Sequence, residues 1–142
     1  MAKHRRTEAN GRSAQEQFIA LPYNMVKSDA WRSLSGSALK TLIELKSRFN
    51  GRNNGQLCLS YADASQKLRL GHATIGKAFK ELQAKGFLRL VKRGHWYGRK
   101  ATEWAITDKQ WQGNPPTNDW KHLRIAGNQK TEVAPNTEHI QP

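Results

Sequence analysis

The chain has 142 residues and a formal net charge of +13, from 24 Lys and Arg against 11 Asp and Glu. A chain of this length defaults to one domain and buries a core without metals or disulfides; its charge excess points to a polyanion, either nucleic acid or an acidic membrane surface. The single cysteine, Cys58, excludes an internal disulfide and a cysteine-rich zinc site and fits a reducing compartment, while apolar runs of only a few residues exclude a bilayer span.

Residues 1–17, "MAKHRRTEANGRSAQEQ", are polar throughout and lack the apolar core of a signal peptide. The expectation is a soluble cytoplasmic protein, associated with the nucleoid when bound to DNA. The stretch has no hydrophobic periodicity and reads as a disordered basic arm. Its Lys3, Arg5 and Arg6 are candidates for tracking a minor groove, against the alternative of a solubilising tail. Apolar character returns at "FIALPYNMVKSDAWRSL" (18–34). Pro22 ends any regular element there, and Ser28 is placed to cap a short helix containing Trp31.

Ala38, Leu39, Leu42, Ile43, Leu45 and Phe49 then recur at helical spacing behind Ser35, a second N-cap. "NGRNNG" (50–55) supplies residues that tolerate positive φ and ends this helix in a turn. "QLCLS" (56–60) is short and apolar and reads as a strand, with Cys58 expected in the core. Ser60 opens a short helix to about Leu68, and its spacing to Asp63 resembles a capping box. "RLG" (69–71) has room only for a tight turn. From His72 to Lys85 a stripe of Ile75, Ala78, Phe79 and Leu82 marks a longer helix, with Lys85-Gly86 as its C-terminal signature. Leu42, Phe79 and Leu82 are expected to meet in the core.

"FLRLV" (87–91) and "ATEWAIT" (101–107) alternate like half-buried strands, with Trp104 facing the core. "KRGHWYGRK" between them carries Gly94 and Gly98, which suit a hairpin loop. Segment 87–100 holds Arg89, Lys92, Arg93, Arg99 and Lys100 and no acid. "GNPPTND" (113–119) reads as the exit from a domain spanning 18–112, and 113–142 as a flexible polar tail. The order of elements is helix, strand, helix, tight turn, helix, hairpin. The expected fold is therefore mainly α with a small β-hairpin (α+β), in the order of a winged helix-turn-helix.

The run "SYADASQKLRLGHATIGKAFKELQAKGFL" resembles the winged helix-turn-helix DNA-binding domains of bacterial regulators and of phage, plasmid and mobile-element replication proteins. The resemblance rests on Ser60 opening one helix, the small Ala64 at the helix crossing and Leu68 before the turn. It continues with Thr74 early in the second helix, Ala78 and Leu82 toward the core, and Gly86 before the hairpin. It covers about 18–110 and departs at Gly71, where Ser or Thr is commoner. The resemblance implies a recognition helix, about 72–85, in the major groove and a basic wing, about 88–106, on the flanking backbone or minor groove.

On that reading His72, Thr74, Lys77 and Lys80 are candidate base and phosphate contacts, against the alternative of an ordinary solvated helix face. Lys92, Arg93, His95, Arg99 and Lys100 are candidate wing contacts. Trp96 either stacks on sugar or base or packs back on the domain. Gly76 inside the helix marks a close approach, of DNA or of another helix. No Walker sequence, HExxH or nucleophile elbow occurs. Asp29, Glu44, Asp63 and Glu81 fall on separate segments without a paired motif. The five histidines have no ligand spacing. No enzyme activity, cofactor or metal is expected. The expected function is sequence-preferring binding of double-stranded DNA, as a transcriptional regulator. Alternatives are a replication or recombination accessory protein of a mobile element, and an adaptor whose tail binds a protein partner through "WKHLRI" (120–125). RNA binding is less favoured, and a homodimer is left open.

Overall fold

Each of the three main helices starts at a Ser or Gly held in extended backbone: Ser35, Ser60 and Gly71 all have φ near −70° and ψ near 157°. The hydroxyl of Ser35 accepts from the N–H of Ala38 at 3.1 Å, and that of Ser60 from Asp63 at 3.0 Å. Such caps contribute about 1 kcal/mol each. Gly71 offers no side chain, and its helix starts without one. The computed structural model describes residues 16–95, 98 and 100–123.

Two four-residue helices come first, α1 (Tyr23–Val26) and α2 (Asp29–Arg32), then α3 (Gly36–Ser47), α4 (Tyr61–Leu68) and α5 (His72–Ala84). No regular element runs across Pro22, and α1 opens on it, as its carbonyl accepts from Met25 and Val26. Ser28 caps α2 through Trp31. Strands β1 (Leu88–Lys92) and β2 (Glu103–Ile106) follow as an antiparallel pair, and a short 3-10 helix spans Asp119–His122. The arrangement is α+β: three main helices, then a hairpin. α5 packs on α3 and α4 and runs directly into β1.

The core is where these surfaces meet. Leu42, Ile75, Phe79, Leu82, Phe87 and Trp104 belong to one buried cluster. Ala64, fully buried, is the small residue between α4 and its neighbours. The turn between α4 and α5 is made by Arg69 in left-handed backbone (φ 58°), fastened by the Ser65 hydroxyl donating to the Leu70 carbonyl at 2.6 Å.

Four sequence expectations are corrected. Residues 56–60 do not form a strand; only Leu57 pairs, with Trp104. The edge of β2 beyond it is taken by a side chain. Asn54, buried, accepts from the Ile106 N–H at 2.7 Å and donates to the Ile106 carbonyl at 2.9 Å. Its amide does the work of a strand neighbour, and the chain turns off to cap α4. Cys58 is half-buried, because Leu57 and Leu59 take the inward positions and alternation turns it outward. Asp63 does not complete a capping box. Its carboxylate pairs with Arg48 at 2.7 Å, and the Arg48–Glu44 contact at 3.1 Å makes a clamp between α3 and α4. A charge-assisted bond outcompetes a neutral backbone donor.

The fourth concerns the domain's edge. Packed structure continues past 112 to Leu123. Trp120 is buried and stacks on Phe87 at 6.4 Å and 7°, and Phe87 meets Trp31 edge-on. Asn118 N–H donates to the Thr107 carbonyl. Gly86 (φ +84°) lies so close to the Asp119–Trp120 backbone that a Cβ would overlap it. A single Trp in a polar segment carries no periodicity, so its docking had no local signal. Residues 1–15 and 124–142, and the expectations placed on them, lie outside the described residues.

Candidate nucleic-acid interface

α5 has a buried stripe, Ile75, Ala78, Phe79 and Leu82. Directly opposite, Ala73, Lys77, Lys80 and Ala84 recur at i, i+4, i+7 and i+11, a single stripe on a 3.6-residue repeat. All four are exposed. The candidates His72 and Thr74 flank that stripe on opposite sides. Thr74 is half-buried and lies a helical repeat from Glu81, toward α3; His72 is exposed and meets Tyr61 edge-on at 6.4 Å. Lys77 and Lys80 thus share an outward stripe that His72 and Thr74 only border. Ala73 was missed by residue type, although the spacing marks it.

The second group sits on the hairpin. Lys92 and Arg93 leave β1 exposed, and Lys100 is exposed where the chain returns. His95 and Lys100 exchange backbone hydrogen bonds at 2.8 and 3.0 Å. The hairpin is narrow here: a Cβ on Gly94 would overlap the Lys100 carbonyl, and the Gly94 N–H donates to the Thr102 hydroxyl at 3.1 Å. The register shifts between Leu90 and Lys92, an irregularity that increases twist. Trp96 and Arg99 lie outside the described residues, as do Lys3, Arg5 and Arg6.

Most of the described carboxylates of the fold are taken up in ion pairs. Glu44, Asp63, Glu81, Asp108 and Asp119 are all in ion pairs inside the fold. Arg89, one of the five cations of segment 87–100, is among their partners. It pairs with Asp119 at 2.9 Å and lies over the Trp111 ring at 5.8 Å, pinning the 111–120 segment. Lys77, Lys80, Lys92, Arg93 and Lys100 have no carboxylate in ion-pair range among the described residues. Arg69, in the α4–α5 turn, is another exposed cation without an ion pair among the described residues, and sequence reading passed over it. Non-Gly residues visit left-handed backbone at a cost of about 1 kcal/mol, and only the structure reveals that Arg69 does.

Comparison with family models, curated proteins and solved structures finds no match. The site therefore has to be read from its own chemistry. Among the described residues no group of three or more His, Cys, Asp or Glu is placed to hold a metal. Glu44 and Asp63 do converge, but on the Arg48 guanidinium, which satisfies both. Hydrogen bonding from Arg48 holds the Asp63 carboxyl below its usual range. No described helix is long and apolar enough to cross a membrane. What remains is a surface of fixed helix, narrow hairpin and unpaired cations.

Two further residues bear on that surface. Tyr61, at the start of α4, is 46% exposed and stacks on Phe79. Gly76 faces it: a Cβ there would meet the Tyr61 hydroxyl at 3.4 Å, an ordinary contact distance, so this packing does not by itself demand a glycine. As for the proposed partner site at 120–125, the Trp120 ring is occupied by its own domain, and residues 124 and 125 lie outside the described residues.

Proposed function

We propose that the chain is a winged helix-turn-helix protein that binds double-stranded DNA with sequence preference and acts as a transcriptional regulator. In this reading α5 is the recognition helix, the hairpin is the wing, and the α4–α5 turn joins the two helices. The observation that carries it is the set of exposed cations on the α5 stripe and the hairpin, Lys77, Lys80, Lys92, Arg93 and Lys100, which have no ion pair among the described residues. A duplex supplies one phosphate per about 1.7 Å of axis, and neutralising phosphates drives association by counterion release. In this reading Lys77 and Lys80, with Ala73 and Thr74 nearer the helix start, contact base edges and phosphates, and Lys92, Arg93 and Lys100 serve as phosphate anchors.

The test is selection of binding sites from random duplexes, followed by variants. A winged-helix reader enriches a defined sequence. Arg93→Ala and Lys100→Ala weaken binding to all duplexes alike, because phosphate contacts carry no sequence information. Thr74→Ala or Lys77→Ala narrows the gap between selected and random DNA by about 1–3 kcal/mol. Failure to enrich any sequence, or loss of specificity in the hairpin variants alone, contradicts the assignment.

A further inference from the structure

Three parallel rings run outward along one side of α5. Trp104, buried, stacks on Phe79 at 5.0 Å and 12°; Phe79 stacks on Tyr61 at 5.8 Å and 6°. The inner two rings are covered and the third opens to solvent. The third ring lies against the helix at Gly76, where an added methyl would sit in ordinary contact with it, 3.4 Å from the hydroxyl and 3.5 Å from Cε2. The hydroxyl is therefore turned toward α5. His72 meets the same ring edge-on at 76°. Phe79 covers one face of the Tyr61 ring, Gly76 and His72 lie beside it, and the residue keeps 46% of its surface open to solvent. Gly76 and His72 border the exposed Lys77 and Lys80 stripe.

A single exposed aromatic is ordinary on a protein surface. This one ends a stacked column whose inner members fix its plane, and it sits beside cations suited to phosphate. The ligand that matches an exposed aromatic ring next to a phosphate-binding surface is a nucleobase, since every base has a π-face and stacking on aromatics tolerates sequence. In an uninterrupted duplex those faces are hidden between neighbouring pairs. We propose that Tyr61 is a stacking platform for an unpaired nucleobase, so that the protein prefers a duplex carrying an unpaired base, at a bulge or a single-strand junction, over uninterrupted duplex. This rests on the DNA-binding reading above and adds a ligand to it.

The experiment uses the full chain and two sets of labelled duplexes, fully paired and with one unpaired 5-iodouracil scanned along one strand. At the best position the unpaired base raises affinity about 5- to 100-fold, the range that one base–aromatic stack supplies. Irradiation cross-links that base to Tyr61, located by mass spectrometry. Tyr61→Phe keeps the preference because the ring remains; Tyr61→Leu, shown by circular dichroism to be folded, loses it while binding paired duplex as before. If the Leu variant fails to fold, the wild-type cross-link decides. No preference at any position, a cross-link to another residue, or an unchanged preference in folded Tyr61→Leu overturns the inference. Paired duplex bound without preference sinks the platform and leaves the duplex-binding reading standing. Tyr61-dependent binding of the unpaired probe alone does the reverse, and binding of neither sinks both.

Discussion

Glu81→Gln tests how α5 is held in place. Glu81 reaches from α5 to the start of α3, accepting the Ser35 N–H at 2.8 Å and the Ser35 hydroxyl at 2.7 Å, with the Lys85 ammonium at 3.1 Å. Gln keeps the shape and one acceptor oxygen but loses the charge and turns an amide donor toward existing donors. Hydrogen bonds to a charged group contribute about 1.5–3 kcal/mol and neutral ones about 0.5–1.5 kcal/mol. With the Glu81 side chain 23% exposed, solvent screens part of this, so the expected loss is at the lower end, about 1–2 kcal/mol at neutral pH. Burial pushes the Glu81 carboxyl up, but the Ser35 hydroxyl, the Ser35 N–H and Lys85 together hold it below the ordinary 4.5. A carboxyl depressed in the folded state stabilises fully above its unfolded pKa, and that stabilisation is lost as pH falls through the folded value. Because Gln does not titrate, the gap between wild type and variant should hold constant at neutral pH, shrink below about 4.5 and close in stronger acid. Urea denaturation followed by tryptophan fluorescence across that range measures it. No gap at neutral pH, or a gap undiminished in acid, refutes the reasoning.

Trp120→Ala should cost about 3–5 kcal/mol in a thermal melt, and an unchanged melt would mean that 113–123 is not docked. Gly76→Ala should raise stability by up to about 1 kcal/mol, since the added methyl meets Tyr61 at ordinary contact distance; a loss would show that the ring has no slack. Asp108→Ala should cost about 3–5 kcal/mol, because it strands the Lys46 ammonium, paired at 2.6 Å with both side chains almost wholly buried. Lys46 titrates below its ordinary value, burial outweighing the attraction of Asp108. Replacing both partners by apolar residues should be close to neutral, and a mild single variant would mean that water reaches the pair.

Local chemistry made much of the helical frame readable. Ser28, Ser35 and Ser60 cap helices because a hydroxyl three residues before an N–H is a local fact, and the stripe of Ile75, Ala78, Phe79 and Leu82 needs only its own period. What failed to show were partners far along the chain. The cap at Ser35 is completed by Glu81, 46 residues away, where a nearer carboxylate would have been sought. Asp63 has the spacing of a capping box, yet Arg48 takes it. Asn54 replaces a strand neighbour with a side-chain amide, which no β-pattern encodes. For the candidate site, the cations were visible by type, but their availability was not. Arg89 looks like Lys92 in sequence and is pinned by Asp119 and Trp111. Tyr61 looks like a first-turn residue and lies open beside α5.

Salt dependence of duplex binding, followed by fluorescence anisotropy, bears most directly on DNA binding through this surface. Arg69, Lys77, Lys80, Lys92, Arg93 and Lys100 are the cations named on it, all exposed and without an ion pair among the described residues. If each neutralises one phosphate, log K falls against log salt with a slope of about −5, since each contributes about −0.9. A slope of about −5 to −7 is the expected result, and one shallower than about −2 would contradict phosphate tracking by the α5 stripe and the hairpin.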